Sequence, residues 1–122
     1  MILVDTSIWV NHFRKGNSNL RLLLEEGKVL IHPFVIGELA CGSLKNRDEI
    51  LYLLNDLPCL RTIDHSEVMH LLETRRLFGS GIGWIDVHLL ASALLSDSLL
   101  WTADRRLLTV AAKLGLAAKF GD

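Results

Sequence analysis

Four carboxylates stand out by the places they occupy: Asp5, Glu38, Asp86 and Asp104. Asp5 ends a short apolar run at the start of the chain, and Asp104 follows a second such run. Glu38 lies early in a segment of helical period that opens at Pro33, and Asp86 lies in the first turn of an apolar segment over residues 84–95. Asp86 shares a helical face with Leu89, Leu90 and Ala93, at i+3, i+4 and i+7. Glu38 shares one with Phe34, Val35, Cys41 and Gly42. Acids on apolar stripes are expected to point toward the body of the protein, where an unpaired charge is costly. Carboxylates gathered in one place repel, and some take up protons. A divalent cation removes both costs, and hard oxygen donors suit Mg²⁺ or Mn²⁺. Taken singly, three of the acids have simpler roles: Asp5 and Asp104 as helix caps, Asp86 as a partner of the helix dipole. Their joint placement is what points to a metal site.

The elements must bring these positions together. Short β-rich runs alternate with longer segments of helical period. Strands are expected at residues 2–5, 29–32, 60–63 and 99–102, with a short fifth at 117–120. Helices are expected from residue 7, over 19–26, 33–43 and 48–57, from 64 to about 78, and over 84–95 and 104–114. Gly27 closes the second helix, Pro33 opens the third, and Asp64 or Ser66 offers a capping box to the fifth. Residues 79–83 read as a flexible glycine-rich loop. Such alternation predicts a parallel sheet of four to five strands inside a three-layer α/β/α sandwich. In a parallel sheet the strands end and the crossover helices begin at one edge. All four acids are therefore expected at the carboxyl edge, where open α/β folds bind ligands.

Composition sets the outer limits. The 122 residues make one expected domain, 1–122, and with 50% hydrophobic and 22% charged residues a packed core is within reach. Thirteen basic residues against fourteen acidic ones leave a net charge of −1, which excludes nucleic-acid binding by bulk charge. Local pairs must do that work instead: Arg14 with Lys15 and Arg105 with Arg106 follow acidic positions closely, and Arg75 with Arg76 form a third pair. Of the three tryptophans, Trp101 reads as core, and Trp9 and Trp84 as core or interface before base-stacking surfaces. A mean hydropathy of +0.33 is high for a small domain, yet no apolar run nears the ~18–20 residues that span a bilayer. The surplus is expected in an interface with a second copy, giving a homodimer. No targeting segment is visible, so a cytoplasmic protein is expected. Cys41 and Cys59 read as buried thiols, and the five histidines show no zinc-ligand spacing.

At this point the chain resembles the PIN-domain ribonucleases and, within them, the VapC-type toxins of bacterial toxin–antitoxin modules. Val4-Asp5-Thr6-Ser7-Ile8-Trp9 is similar to the family's first motif, and Ile36-Gly37-Glu38-Leu39 to the segment bearing its glutamate. The stretch from Gly83 through Asp86 to Ala93 is similar to the third acidic motif. Trp101-Thr102-Ala103-Asp104, followed by Arg105, Arg106 and Leu107, is similar to the fourth. Four motifs in order cover the whole chain. The resemblance implies a PIN-like fold and a metal-dependent endoribonuclease that cleaves RNA and is held inactive by a cognate antitoxin. It implies that Asp5, Glu38, Asp86 and Asp104 form the Mg²⁺ or Mn²⁺ site. It also implies that Thr6 or Ser7 supports the first acid, Asp5, by hydrogen bonding, and that Thr102 does so near the fourth, Asp104. The family often has a basic residue where Ala103 stands.

Three other readings compete. A phosphoreceiver switch would use Asp5, Asp64, Thr102 and Lys119, but the first strand ends in one acid, and Glu38 and Asp86 would have no part. A haloacid-dehalogenase-type phosphatase needs a second Asp where Ser7 stands. A non-catalytic PIN-like binding module would lack one of the four acids. An RNA-processing PIN nuclease outside any toxin module would look the same in sequence.

Overall fold

Ile2, Leu3 and Val4 form a strand because a central parallel strand is covered on both faces and favours a continuous apolar run. In the computed structural model, which describes residues 1–120, they make β1 (Ile2–Val4). β2 (Val29–Leu30) and β3 (Leu99–Trp101) flank it in the order β2-β1-β3. Both pairings are parallel, with Ile2 opposite Val29 on one side and Leu99 on the other.

The sheet thus has three strands, where four to five were expected. Residues 60–63 form no strand, and the only pairing there is a bridge just before them between Cys59 and Ile31, closed by Ile31 N–H to the Pro58 carbonyl and Leu60 N–H to the Ile31 carbonyl, both at 2.9 Å. The neighbouring edge has no more to offer: His32 already caps the next helix, so β2 ends before a longer partner can pair with it. Residues 117–120 likewise meet β3 at a single bridge, Ala117 to Leu100. Phe120 then lies against Trp101, with ring centroids 4.4 Å apart.

Among the described residues the sheet is accompanied by seven helices. α1 (Thr6–Lys15) follows β1 directly, with Asp5 at its N-cap. α2 (Ser18–Glu25) is capped by Asn17, whose side chain accepts from Leu20 N–H at 3.0 Å, and ends near Gly27, whose φ of +67° suits glycine. α3 (Pro33–Cys41) starts on proline, and His32 Nδ1 accepts from Phe34 N–H at 2.9 Å. α4 (Arg47–Leu54) follows. α5 (His65–Thr74) has Asp64 at its N-cap, but the Asp64 side chain makes no capping bond, so the expected capping box does not form. It also stops short of residue 78. Arg76 turns left-handed at φ +54°, and Leu77 N–H closes on the Leu72 carbonyl at 3.0 Å.

α6 (Trp84–Leu95) keeps its expected bounds, and every residue from Val87 to Ala93 is buried. Leu89, Leu90 and Ala93 are wholly inaccessible, as are Leu3 and Leu100 in the adjoining strands. Each such leucine stabilises the fold by about 1.5–3 kcal/mol relative to exposure. α7 (Arg105–Lys113) is the last helix of the described residues and buries Leu107, Val110 and Ala111. Cys41 and Cys59 are free but exposed, contrary to the expectation of buried thiols: one ends α3 and the other lies outside β2 at the sheet edge. Among the described residues no helix is long and apolar enough to cross a membrane.

Candidate active site

Asp5 is the anchor. It follows β1, its N–H donates to the Trp101 carbonyl of β3 at 2.9 Å, and only 7% of the residue is exposed. Its Oδ2 accepts from Thr102 Oγ1 at 2.7 Å and from Ser7 Oγ at 2.9 Å. Both donors are fixed in turn. Asp104 N–H donates to Thr102 Oγ1 at 3.0 Å, and Ala103 N–H donates to Ser7 Oγ at 3.0 Å. Thr102 therefore joins the first acid to the backbone of the fourth. This is why the segment after β3 needs a hydroxyl: it must donate and accept at once.

Asp104 is exposed and caps α7, its Oδ1 accepting from Arg106 N–H at 2.9 Å and Leu107 N–H at 3.1 Å. The capping role expected of it singly is real, and it holds the carboxylate at the same edge as Asp5. Asp86 lies in the first turn of α6, where Oδ2 accepts from Gly83 N–H at 3.1 Å. Burial holds its carboxyl above the ordinary carboxylate range, the Gly83 amide pulls it down, and the charges of Asp5, Asp104 and Glu38 add to the upward push. The four acids thus share one electrostatic neighbourhood. Glu38 reaches it from α3, where its Oε1 accepts from Thr6 Oγ1 at 2.7 Å.

Glu38 departs from the sequence reading in one respect. It is exposed, because α3 buries Val35 and Leu39 and this leaves Glu38 on the flank of the helix rather than on its buried face. Of the hydroxyls expected to support the first and fourth acids, Ser7 bonds Asp5, Thr6 bonds Glu38 instead, and Thr102 donates to Asp5 while accepting from the Asp104 N–H. Arg14 and Lys15 line a cavity of about 510 Å³ together with Ser7 and Ala103, which brings them beside the first acid. A second groove, of about 420 Å³, is lined by Thr6, Val10, Phe13, Arg14, Glu38 and Leu39 among others. Arg105 and Arg106 are exposed at the start of α7.

The donor set is all hard oxygen, which fits a divalent cation. The two ion pairs among the described residues, Lys28–Glu26 and Arg47–Asp48, leave all four acids without a cationic partner. Yet no three His, Cys, Asp or Glu side chains among the described residues are already gathered to hold a metal ion.

The sequence reading passed over two parts of this edge. Gly83 supplies a backbone donor to Asp86, and Gly81 lies against Arg106. The run of glycines at 79, 81 and 83 was the available signal, read only as flexibility.

Comparison with known proteins agrees with this architecture. The PIN-domain family model matches residues 2–113. The chain belongs to the PIN-domain family. It is 46% identical over 118 residues to Ribonuclease VapC32 of Mycobacterium tuberculosis, in both strain CDC 1551 / Oshkosh and strain ATCC 25618 / H37Rv. The match covers 96% of this chain and 95% of each relative.

Proposed function

We propose that this protein is a divalent-metal-dependent endoribonuclease, the toxin of a toxin–antitoxin module, acting as a single nuclease domain over residues 1–122. The observation that carries the reading is the buried, doubly hydrogen-bonded Asp5 together with an Asp86 carboxyl raised first by burial and further by the charges of Asp5, Asp104 and Glu38. Support comes from the identity to Ribonuclease VapC32 along nearly the whole chain.

Asp5 and Asp86 are assigned as the most direct ligands of Mg²⁺ or Mn²⁺, with Asp104 and Glu38 completing the site directly or through water. A divalent ion there would lower the pKa of a bound water and offset charge building on the phosphate oxygens. The protein's own part is orientation. Thr102 and Ser7 fix Asp5 Oδ2, the Gly83 amide fixes Asp86, and Thr6 fixes Glu38. Arg14, Lys15, Arg105 and Arg106 are assigned to RNA phosphates. The partners are an RNA substrate, a cognate antitoxin and a second copy of the chain in a cytoplasmic homodimer.

The test is cleavage of total RNA by wild type and Asp5→Asn, each with Mg²⁺, with Mn²⁺ and with a chelator. The expected result is discrete fragments that require both Asp5 and the metal, with 5′-phosphate and 3′-hydroxyl ends. Fragments ending in 2′,3′-cyclic phosphate would overturn the hydrolytic mechanism. No cleavage by folded, antitoxin-free protein under any metal would favour a binding module instead.

A further inference from the structure

Gly81 and Arg106 meet across the gap between residues 79–83 and α7. Gly81 has a φ of +84°, a conformation that side-chain-bearing residues rarely adopt. A Cβ at this position would lie 2.7 Å from Arg106 Cδ, 3.2 Å from Nε and 3.3 Å from Nη1. The arginine chain therefore rests in the space that the missing side chain leaves. Its backbone is fixed as well, since Arg106 N–H donates to Asp104 Oδ1 at 2.9 Å. The same loop runs on to Gly83, which donates to Asp86. Arg106 thus spans the two segments that carry Asp86 and Asp104. Among the described residues, however, it forms no ion pair. A guanidinium left without an ion pair keeps its planar fork of donors for a phosphate.

We propose that Gly81 is a positioning residue. Its absent side chain seats Arg106 so that the guanidinium grips an RNA phosphate on the Asp86–Asp104 side of the centre. Gly81 itself touches no substrate. The proposal rests on the nuclease reading and adds a specific phosphate clamp to it.

The experiment is binding of a short fluorescein-labelled single-stranded RNA of mixed sequence, followed by anisotropy in EDTA over a salt series. Arg106→Ala is expected to weaken binding several-fold and to reduce the slope of log K against log salt by about 0.7, the share of one phosphate contact on a single strand. Gly81→Ala is expected to reproduce both changes, and to cause neither in the Arg106→Ala background. Backbone strain at residue 81 lowers Tm equally in the two backgrounds, so it is separable from the salt slope. Gly81→Asn, which carries a Cβ but tolerates left-handed backbone, serves if the alanine variant fails to fold. An equal loss of binding in both backgrounds, or no change in slope, overturns the clamp. Cleavage of total RNA with Mg²⁺ or Mn²⁺ is run alongside. Active wild type whose RNA affinity ignores Arg106→Ala overturns the clamp and leaves the nuclease. Wild type that neither cleaves nor binds overturns both.

Discussion

Thr102 does more at the site than its small side chain suggests. Its hydroxyl donates to Asp5 and accepts from the Asp104 backbone, so one atom sets the spacing of two acids. Thr102→Val keeps the volume and removes both bonds. It is expected to lower RNA cleavage on the order of 10- to 100-fold, as loss of a ligand's supporting hydrogen bond does. It should also cost about 1–3 kcal/mol in urea unfolding, because the buried Asp5 oxygen loses a donor. Unchanged cleavage would show that Ser7 alone orients Asp5. Asp86 gives the opposite sign. Its carboxyl is held above the ordinary range, so folding favours the protonated form and loses stability as pH rises through the folded-state value. In chelator, Asp86→Asn is therefore expected to raise Tm by a few degrees at neutral pH. The gain should fade in acid, where the wild-type carboxyl is already neutral. Asparagine retains an acceptor for Gly83, so a drop in Tm would mean that the cap needs the charge.

Helices and strands were legible to different degrees, and the reasons are physical. α6 was readable to the residue because seven consecutive buried positions leave no ambiguity about an apolar segment of that length. The outer strands were not readable, since Cys59 and Ala117 have strand-like neighbours but their partners supply one bridge each. The positions of the acids on the elements were legible, whereas the rotation of α3, and hence the exposure of Glu38, was settled only by packing of Val35 and Leu39. His32 shows what an element end can hide. The residue is wholly buried, accepts from Phe34 N–H, and lies 3.1 Å from Ser92 Oγ through Nε2. Burial first, and then the neighbouring His88, lower its pKa from 6.5 to about 4. The neutral ring is the folded form, so its contribution is complete above about pH 6.5 and is lost as pH falls toward 4. Urea titrations between these limits should show stability falling by up to roughly 3 kcal/mol, the equivalent of the shift. His32→Asn, which preserves a capping acceptor, should flatten that dependence, and an unchanged slope would assign it to other groups.

For the molecule as a whole, the net charge of −1 means that RNA is not held by general attraction. Basic side chains at α1 and α7 must supply a local field beside an acidic centre. Binding is therefore expected to weaken with salt by only the few phosphates those residues reach, in the same chelated titration. Neutralising Arg14 and Lys15 together should lower the slope further than either alone. A slope that stays the same would move the RNA path away from the cavity they share with Ser7. The core is equally local to the centre. Leu90 of α6 is fully buried, and Leu90→Ala is expected to cost about 2–5 kcal/mol in urea unfolding.

Asp5 and the Thr102 hydroxyl that holds it are 97 residues apart along the chain. Ile2 finds its β3 partner only at Leu99. During synthesis the first acid emerges well before Thr102, one of the two hydroxyls that orient it. A nascent chain therefore carries no assembled centre until β3 and Thr102 have left the ribosome, and pairing so distant in sequence is slow to form. A fragment ending at residue 98 should neither unfold cooperatively nor cleave RNA. A ribonuclease wired in this way is expected to stay inactive on the ribosome until the segment after β3 has emerged and folded back on β1.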